Sequence, residues 1–207
     1  MYVCDDYFLI REGVKATLVS APDVVVVGEA ESAEQALEQL VEHLPDVVLM
    51  DVALPGIDGI EATRRLRSAA PSVKVIALTR YEDTSHILQL YRAGAVAYLP
   101  KGVRAPELLN AIRTTQAGGV VLHPRVADEL LEAFAAADPT EQEGLSPLSP
   151  HETEVLREVG RGRSNKQVAD ALSQSEGTIQ NHIANILRKL ELNDRIGAAI
   201  DASGDRH

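Results

Sequence analysis

The sequence predicts an α/β domain with a doubly wound, five-stranded parallel sheet, followed by a small all-α domain. The first observation is a series of short, valine-rich apolar runs without period-2 alternation, which is typical of strands buried on both faces of a parallel sheet. The second is that amphipathic segments of helical period separate these runs, as in a repeated β-α series. The third is that no strand signal follows residue 148, where short segments with helix-capping residues begin.

The predicted strands and helices alternate from the start of the chain. Strands are predicted at 2–4, 24–27, 47–50, 73–78 and 96–99. Helices are predicted near 8–20, 32–43, 59–69, 84–93 and 105–117, the second opening with a capping box formed by Ser32 and Gln35. We expect the strand order 2-1-3-4-5, with the functional crevice at the carboxyl ends of the strands.

The rest of the chain divides into a connection and a helical domain. Residues 124–137 predict one further helix, and 138–147 is a polar, Pro- and Gly-containing stretch typical of a linker. Helix starts follow at three capping serines, and a fourth short helix is predicted at 193–202. The capping serines are Ser149, Ser164 and Ser175. We therefore predict a domain over 1–120, a connecting helix and linker over 121–147, and an all-α domain over 148–207.

Composition and charge exclude several classes of protein. The chain of 207 residues has 45% hydrophobic residues, but no apolar run reaches the ~18 residues of a membrane span. Its first residues do not resemble a signal peptide, so we expect a cytoplasmic protein without membrane contact. The lone Cys4 excludes an intramolecular disulfide framework. The net charge of −11 is concentrated in residues 1–144, with 12 Lys and Arg against 22 Asp and Glu, while residues 145–207 carry 8 against 9. DNA binding by the second domain is therefore neither predicted nor excluded by charge.

Acidic side chains stand at the ends of two strands that are neighbours in the expected order. Asp5 and Asp6 follow the first strand, and Asp51 follows the third. Like charges so close repel one another unless a cation neutralises them, and Mg²⁺ suits a few carboxylates together with phosphate oxygens. Thr79 at the end of the fourth strand and Lys101 after the fifth add a hydroxyl and a cation. This set predicts a phosphoryl-transfer site in which an Asp is the nucleophile.

These motifs resemble the receiver domain of bacterial two-component response regulators over essentially all of residues 1–120. The matching residues are Asp5-Asp6, the run from Leu49-Met50-Asp51 to Asp58-Gly59, Ala77-Leu78-Thr79, and Gly94-Ala95 with Tyr98-Leu99-Pro100-Lys101. The resemblance implies a flavodoxin-like fold. It also implies that Asp51 accepts a phosphoryl group from a partner histidine kinase.

The resemblance further assigns roles around Asp51. It implies that Mg²⁺ is held by Asp51, Asp5, Asp6 and the backbone carbonyl of Ala53. It implies that Lys101 pairs with the phosphate, that Thr79 closes on it, and that Tyr98 rotates inward behind Thr79. The charge added by phosphorylation would shift the receiver between two conformations.

The chain departs from the receiver pattern in two places. Arg80 follows Thr79, where many receivers carry a small residue, so we expect this cation to narrow access or to hold the phosphate. The first strand is also short before Asp5.

Helical geometry predicts a recognition helix in the second domain. Five residues of the segment 176–190 fall on one apolar face, which must be buried. They are Ile179, Ile183, Ile186, Leu187 and Leu190. The opposite face carries Asn181, Ala184, Asn185 and Arg188, with Gln180 on its flank. Amide side chains can pair with adenine, and arginine can pair with guanine or phosphate, so this face is suited to DNA recognition. The alternative interpretation is a polar face that is only solvated.

The segments that carry this geometry resemble the LuxR-type helix-turn-helix domain over residues 146–200. They are Leu148 to Glu152, Glu154 to Leu156, Gly162 to Ala169 and Thr178 to Lys189. With the receiver, this is the layout of the NarL/FixJ subfamily of transcription factors. The resemblance implies a supporting helix at 164–172, phosphate contacts from Lys166 and Arg163, and a dimer contact at 193–202. Gln180 and Ala184 stand where lysine is more usual.

Three functions follow from these patterns. We favour a transcription regulator that binds promoter DNA, as a homodimer, under the control of Asp51 phosphorylation, and that is not an enzyme. The second is a haloacid-dehalogenase-type phosphatase, against which Ala53 stands where the general acid is needed. The third is a receiver that acts through protein contacts and whose DNA binding is weakened.

Overall fold

The computed structural model describes residues 1–80, 84–136 and 148–191. Within these residues, five parallel strands form one sheet in the order β2-β1-β3-β4-β5. The strands are β1 (Tyr2–Cys4), β2 (Gly28–Ala30), β3 (Val47–Asp51), β4 (Lys74–Thr79) and β5 (Ala95–Pro100). The doubly wound order predicted from the sequence is confirmed.

Helices connect successive strands of the sheet. They are α1 (Phe8–Leu18), α2 (Ala33–His43), α3 (Gly59–Ala69), α4 (Thr84–Ala93) and α5 (Ala105–Gln116), where α5 follows the last strand. Every residue of the central strand β3 is buried, as expected for a strand covered on both faces. Ser32 caps α2 by accepting a hydrogen bond from Gln35 N at 3.2 Å.

The second strand differs from its prediction. The valines at 24–27 precede β2, and Val25 and Val27 are exposed. The reason is the register with the short strand β1, in which Tyr2 pairs with Gly28 and Cys4 with Ala30. Ahead of that ladder, Val27 N donates to Met1 O at 2.9 Å and Met1 N donates to Val25 O at 2.6 Å. A valine run was therefore a poor guide, because pairing with β1 selects the residues that follow it.

The C-terminal part of the chain contains four described helices. They are α6 (Pro124–Ala136), α7 (Pro150–Gly160), α8 (Asn165–Leu172) and α9 (Glu176–Glu191). Capping boxes open α7 and α8. The hydroxyls of Ser149 and Ser164 accept from the backbone N–H of Glu152 and Gln167, and the backbone N–H of each serine donates to the side chain of the same partner. These local signals were readable from the sequence because capping depends on residues three positions apart.

The described residues fall into two compact units. The first contains the sheet with α1, α2, α3 and α5, and the second contains α4 together with α6 to α9. In the second unit, Tyr91 Oη of α4 donates to Val121 O at 2.7 Å and accepts from His123 N at 3.2 Å. Asn165 Nδ2 of α8 donates to Val120 O at 2.7 Å. The segment 120–123 is thus hydrogen-bonded to both helices.

Two sequence predictions concern residues outside the described ranges. These are the linker at 138–147 and the short helix at 193–202, and both stay predictions. Among the described helices, none is long and apolar enough to cross a membrane.

Candidate functional site

Three carboxylates meet at the carboxyl end of the sheet. Asp5 and Asp6 directly follow β1, and Asp51 is the last residue of β3. The two strands are paired, with Cys4 opposite Met50, which brings the acids to the same edge. One oxygen of each carboxylate lies within 4.8 Å of the others. Hard oxygen donors this close together are suited to binding a divalent cation.

A close backbone approach positions Asp51. Gly59 begins α3, and a Cβ at this residue would lie 2.1 Å from Asp51 O and 2.7 Å from Val52 Cα. Gly59 N donates to Val52 O at 3.0 Å. Asp51 itself is 1% exposed, and its Oδ1 accepts from Ala53 N at 3.2 Å. The start of α3 therefore holds the end of β3 in place.

Lys101 neutralises part of this acidic charge. Its Nζ lies 2.7 Å from Asp51 Oδ2 and 2.8 Å from Asp5 Oδ2. Burial raises the pKa of the Asp51 carboxyl; the Lys101 hydrogen bond opposes that rise, and the Asp5 carboxylate adds to it. Burial lowers the pKa of Lys101, but its contacts with the two carboxylates outweigh this effect, so that its pKa is raised. Lys101 is a fixed cation beside the buried carboxylate.

Contacts with its backbone and with both carboxylate oxygens hold Asp5 in place. Its Oδ1 accepts from Tyr7 N at 2.9 Å, and its backbone carbonyl accepts from Arg11 Nη1 at 2.7 Å. The buried Oδ2 lies 2.8 Å from Lys101 Nζ, so a metal ion that binds this oxygen would share it with Lys101.

The other predicted residues of this site lie on neighbouring elements. Thr79 ends β4, is 1% exposed, and its carbonyl accepts from Lys101 N at 2.8 Å. Tyr98 is buried on β5, opposite Ala77 of β4. Ala53 is exposed beside Asp51. Thr79, Lys101 and Ala53 therefore surround Asp51, while Tyr98 lies further back along the sheet.

The second unit presents the predicted polar helix face. On α9, Ile179, Ile183, Ile186 and Leu187 are buried, while the side chain of Leu190 lies outside the described part of the chain. Four residues on the other side are exposed, namely Asn181, Ala184, Asn185 and Arg188. Gln180 is half-buried on the flank, and Lys166 is exposed at the start of α8. Amide and guanidinium groups on a free face can read base edges.

An ion pair within the protein competes with the predicted phosphate contact of Arg163. Arg163 Nη1 is paired with Glu158 Oε2, and Arg161 is paired with the other oxygen of the same carboxylate. A phosphate contact by Arg163 would have to compete with Glu158. Sequence spacing could not show this, because Arg163 lies beyond the end of the helix that carries Glu158.

Comparison with known families identifies both parts of the chain. Residues 1–113 match the response regulator receiver domain, and residues 146–202 match the luxR family of bacterial regulatory proteins. This chain is a two-component response regulator. Its second part is a LuxR-type DNA-binding domain, which confirms the prediction of a DNA-binding transcriptional regulator of a two-component system.

Two relatives align with nearly the whole regulator, and one solved structure aligns with part of it. It is 36% identical to the transcriptional regulatory protein DegU of Brevibacillus brevis, over 97% of this chain and 91% of that protein. It is 32% identical to the nitrate/nitrite response regulator protein NarL of Escherichia coli strain K12, over 95% of this chain and 91% of that protein. A crystal structure of a LuxR-family response regulator from an Aurantimonas species is similar at 34% identity and a TM-score of 0.60, over 65% of this chain and 96% of that one.

The regulator also carries a feature that the sequence patterns missed. The Arg80 guanidinium stacks on the ring of Tyr7, with Cζ 4.6 Å from the ring centroid. Lys101 Nζ lies over the same ring, at 5.3 Å. Arg80 stood out in the sequence as an unusual neighbour of Thr79, but nothing connected it to Tyr7, which precedes α1. Only the sheet, which places β1 and β4 on either side of β3, brings them together.

Proposed function

We propose that Asp51 accepts a phosphoryl group from a cognate histidine kinase, and that this modification controls DNA binding by the LuxR-type domain. The observation that carries the proposal is the pairing of a buried carboxylate, Asp51, with Lys101 at 2.7 Å, next to the oxygens of Asp5 and Asp6. A carboxylate surrounded by a cation and metal-type ligands is suited to phosphoryl transfer, in which the protein contributes positioning and charge.

The transfer uses the residues of this edge in distinct ways. An Asp51 oxygen forms a bond to phosphorus while the bond from phosphorus to the histidine nitrogen breaks, and that nitrogen keeps the electron pair. Lys101 stabilises the negative phosphoryl oxygens, and the Thr79 hydroxyl donates to one of them. Mg²⁺, when bound by Asp51, Asp5, Asp6 and the Ala53 carbonyl, supplies charge neutralisation of the transferred group.

The response to phosphorylation then reaches the DNA-binding part. Thr79 moves toward the phosphoryl group, and the buried Tyr98 fills the space behind it, which changes the surface around β5. In this proposal residues 1–120 are the receiver, 121–147 the connection, and 148–207 the DNA-binding domain. The regulator acts in the cytoplasm and binds promoter DNA as a homodimer.

DNA recognition is assigned to the exposed face of α9. Asn181 and Asn185 contact base edges, and Arg188 contacts a base or a phosphate. Lys166 contacts the backbone from the start of α8. Ala184 and the half-buried Gln180 flank this face and add no positive charge, so we expect modest affinity for one domain and dependence on the dimer.

The phosphorylation step is tested with a small phosphodonor such as acetyl phosphate and intact-mass measurement. We expect one phosphoryl group on the regulator and none on Asp51→Asn. Asp58→Asn is the matched control, because Asp58 caps α3 through its Oδ1 at 2.8 Å from Glu61 N, and asparagine is an equally good cap. Phosphorylation of Asp51→Asn at the rate of this control would contradict the proposal.

The DNA-binding step is tested against the alternative that the regulator acts only through protein contacts. We expect specific binding of a target promoter fragment at moderate salt, weakened by about 1–3 kcal/mol in Asn185→Ala. Arg157→Ala, an exposed cation on α7 outside the recognition face, is the control and should bind normally. Binding that is non-specific and vanishes steeply with salt would support the alternative.

A further inference from the structure

Two exposed side chains border the solvent side of the acidic edge. Tyr7 is 51% exposed and belongs to the segment between β1 and α1, and Arg80 is exposed directly after β4. Asp51 lies between them, because β3 pairs with both β1 and β4 and Asp51 is opposite Leu78. Tyr7 and Arg80 therefore form a rim on one side of the approach to Asp51 from solvent.

Two cationic side chains lie over the ring of Tyr7 at this rim. It carries Arg80 at 4.6 Å and Lys101 at 5.3 Å from its centroid. Both distances lie within the range in which a cation is attracted to an aromatic face. A hydrogen bond with the Tyr7 side chain and electrostatic attraction to it, and then the nearby carboxylates of Asp51 and Asp6, raise the pKa of Arg80. Arg80 is thus a guanidinium held beside the site by the Tyr7 side chain.

Loss of a phosphoryl group from Asp51 requires attack by water. The water oxygen forms a bond to phosphorus while the bond from phosphorus to the Asp51 oxygen breaks. The electron pair returns to the carboxylate, and the proton of the water passes to phosphate or to solvent. Attacking and leaving oxygens lie roughly in line. Since the leaving oxygen belongs to the buried Asp51, the water must come from the solvent side.

We propose that Arg80, positioned by the ring of Tyr7, closes over phosphorylated Asp51, pairs with its phosphoryl oxygens and slows hydrolysis by excluding water from the line of attack. This inference rests on the proposed phosphorylation of Asp51. A planar guanidinium suits both tasks, because it can stack on the ring and present several donors to phosphate oxygens. Tyr7 acts through Arg80 and is a positioning residue.

The size of the effect follows from the strength of the stack. We assume that hydrolysis proceeds only while Arg80 is away from the ring. Loss of the ring then raises the population of this open state by the factor that corresponds to the stacking free energy. We expect Tyr7→Ala to shorten the lifetime of the phosphate about two- to fivefold, the factor equivalent to an exposed cation–π contact of about 0.5–1 kcal/mol. We expect Arg80→Ala to shorten it at least as much, because the cation itself is lost.

The test follows phosphate loss in the full chain. Each variant is phosphorylated with acetyl phosphate and Mg²⁺, freed of donor, and followed by intact mass. Tyr7→Phe keeps the ring but loses the hydroxyl that interacts with Arg80, so its phosphate lifetime should lie between those of wild type and Tyr7→Ala. Arg80→Lys should also be intermediate. Arg64→Ala, which removes an exposed arginine from α3, is the matched control and should leave the lifetime unchanged.

Several outcomes decide the inference. A double variant with Tyr7→Ala and Arg80→Ala should lose phosphate no faster than Arg80→Ala alone, because the ring acts through the guanidinium. Equal lifetimes in wild type, Arg80→Ala and Tyr7→Ala would overturn the inference, as would slower hydrolysis in Arg80→Ala. In either case phosphorylation of Asp51 would stand. A wild-type chain that takes up no phosphate would instead overturn the proposed function as well.

Discussion

Substitution of Gly59 by alanine tests how the end of β3 is positioned. The added Cβ would lie 2.1 Å from Asp51 O, whereas ordinary contacts between carbon and oxygen begin at about 3.3 Å, so the backbone of α3 or of β3 must move by about 1 Å. The first turn of α3 is held against such a shift, because Asp58 caps the helix and Thr63 Oγ1 donates to Gly59 O at 2.6 Å. Both crowded partners are backbone atoms, so we expect the loss in free energy of unfolding to be at the upper end of about 1–3 kcal/mol, or larger.

Gly13 provides the matched control for this substitution. It lies on an exposed position of α1, and a Cβ there meets nothing within 4 Å. Gly13→Ala should therefore stabilise the protein by about 0.5–1 kcal/mol. By calorimetry, at roughly 4 °C per kcal/mol for a domain of this size, we expect Gly59→Ala to melt roughly 10 °C below wild type. A Gly59→Ala protein that melts with wild type and phosphorylates normally would refute the reasoning.

Three further predictions concern other parts of the regulator. Asn165→Ala removes the partner of the Val120 carbonyl and should lower the free energy of unfolding of the second unit by about 1–3 kcal/mol in urea titrations, whereas the exposed Asn181→Ala should change nothing. The folded-state pKa of Lys101 is raised, so its stabilisation is fully present below its ordinary value of 10.5 and is lost as pH rises through the folded value. Lys101→Met should therefore lose less stability than wild type as pH rises above 10.5. Saturating Mg²⁺ at about 100 times its dissociation constant should raise the free energy of unfolding by about 2.7 kcal/mol, and Asp6→Asn should need more Mg²⁺ for the same rise.

The acidic site could be predicted because it depends only on which residues end the strands and on the order of the strands in the sheet. Asp5 and Asp51 directly follow apolar runs, and the order of a doubly wound sheet makes those strands neighbours. The capping serines of α7 and α8 were equally readable, since each cap needs only a glutamate or glutamine three residues on. Such signals are written within a few residues of one another.

Other features depend on contacts between distant residues and left no local signal. The valines at 24–27 have the composition of a strand, yet register with β1 assigns β2 to the less apolar Gly28–Ala30. The stack of Arg80 on Tyr7 joins residues far apart in the chain. The glycine at 59 fitted a motif, but only the distance to Asp51 O explains why a side chain is excluded there. Tertiary packing decided each case.

The most direct test of phosphorylation control is binding of the regulator to the DNA upstream of its own coding region. Binding is measured by titration at fixed moderate salt, with and without Mg²⁺ and beryllofluoride, a phosphoryl mimic, for wild type and for Asp51→Asn. We expect beryllofluoride to tighten binding of wild type and to leave Asp51→Asn unchanged. Specific binding that is the same with and without the mimic in wild type would contradict control through Asp51.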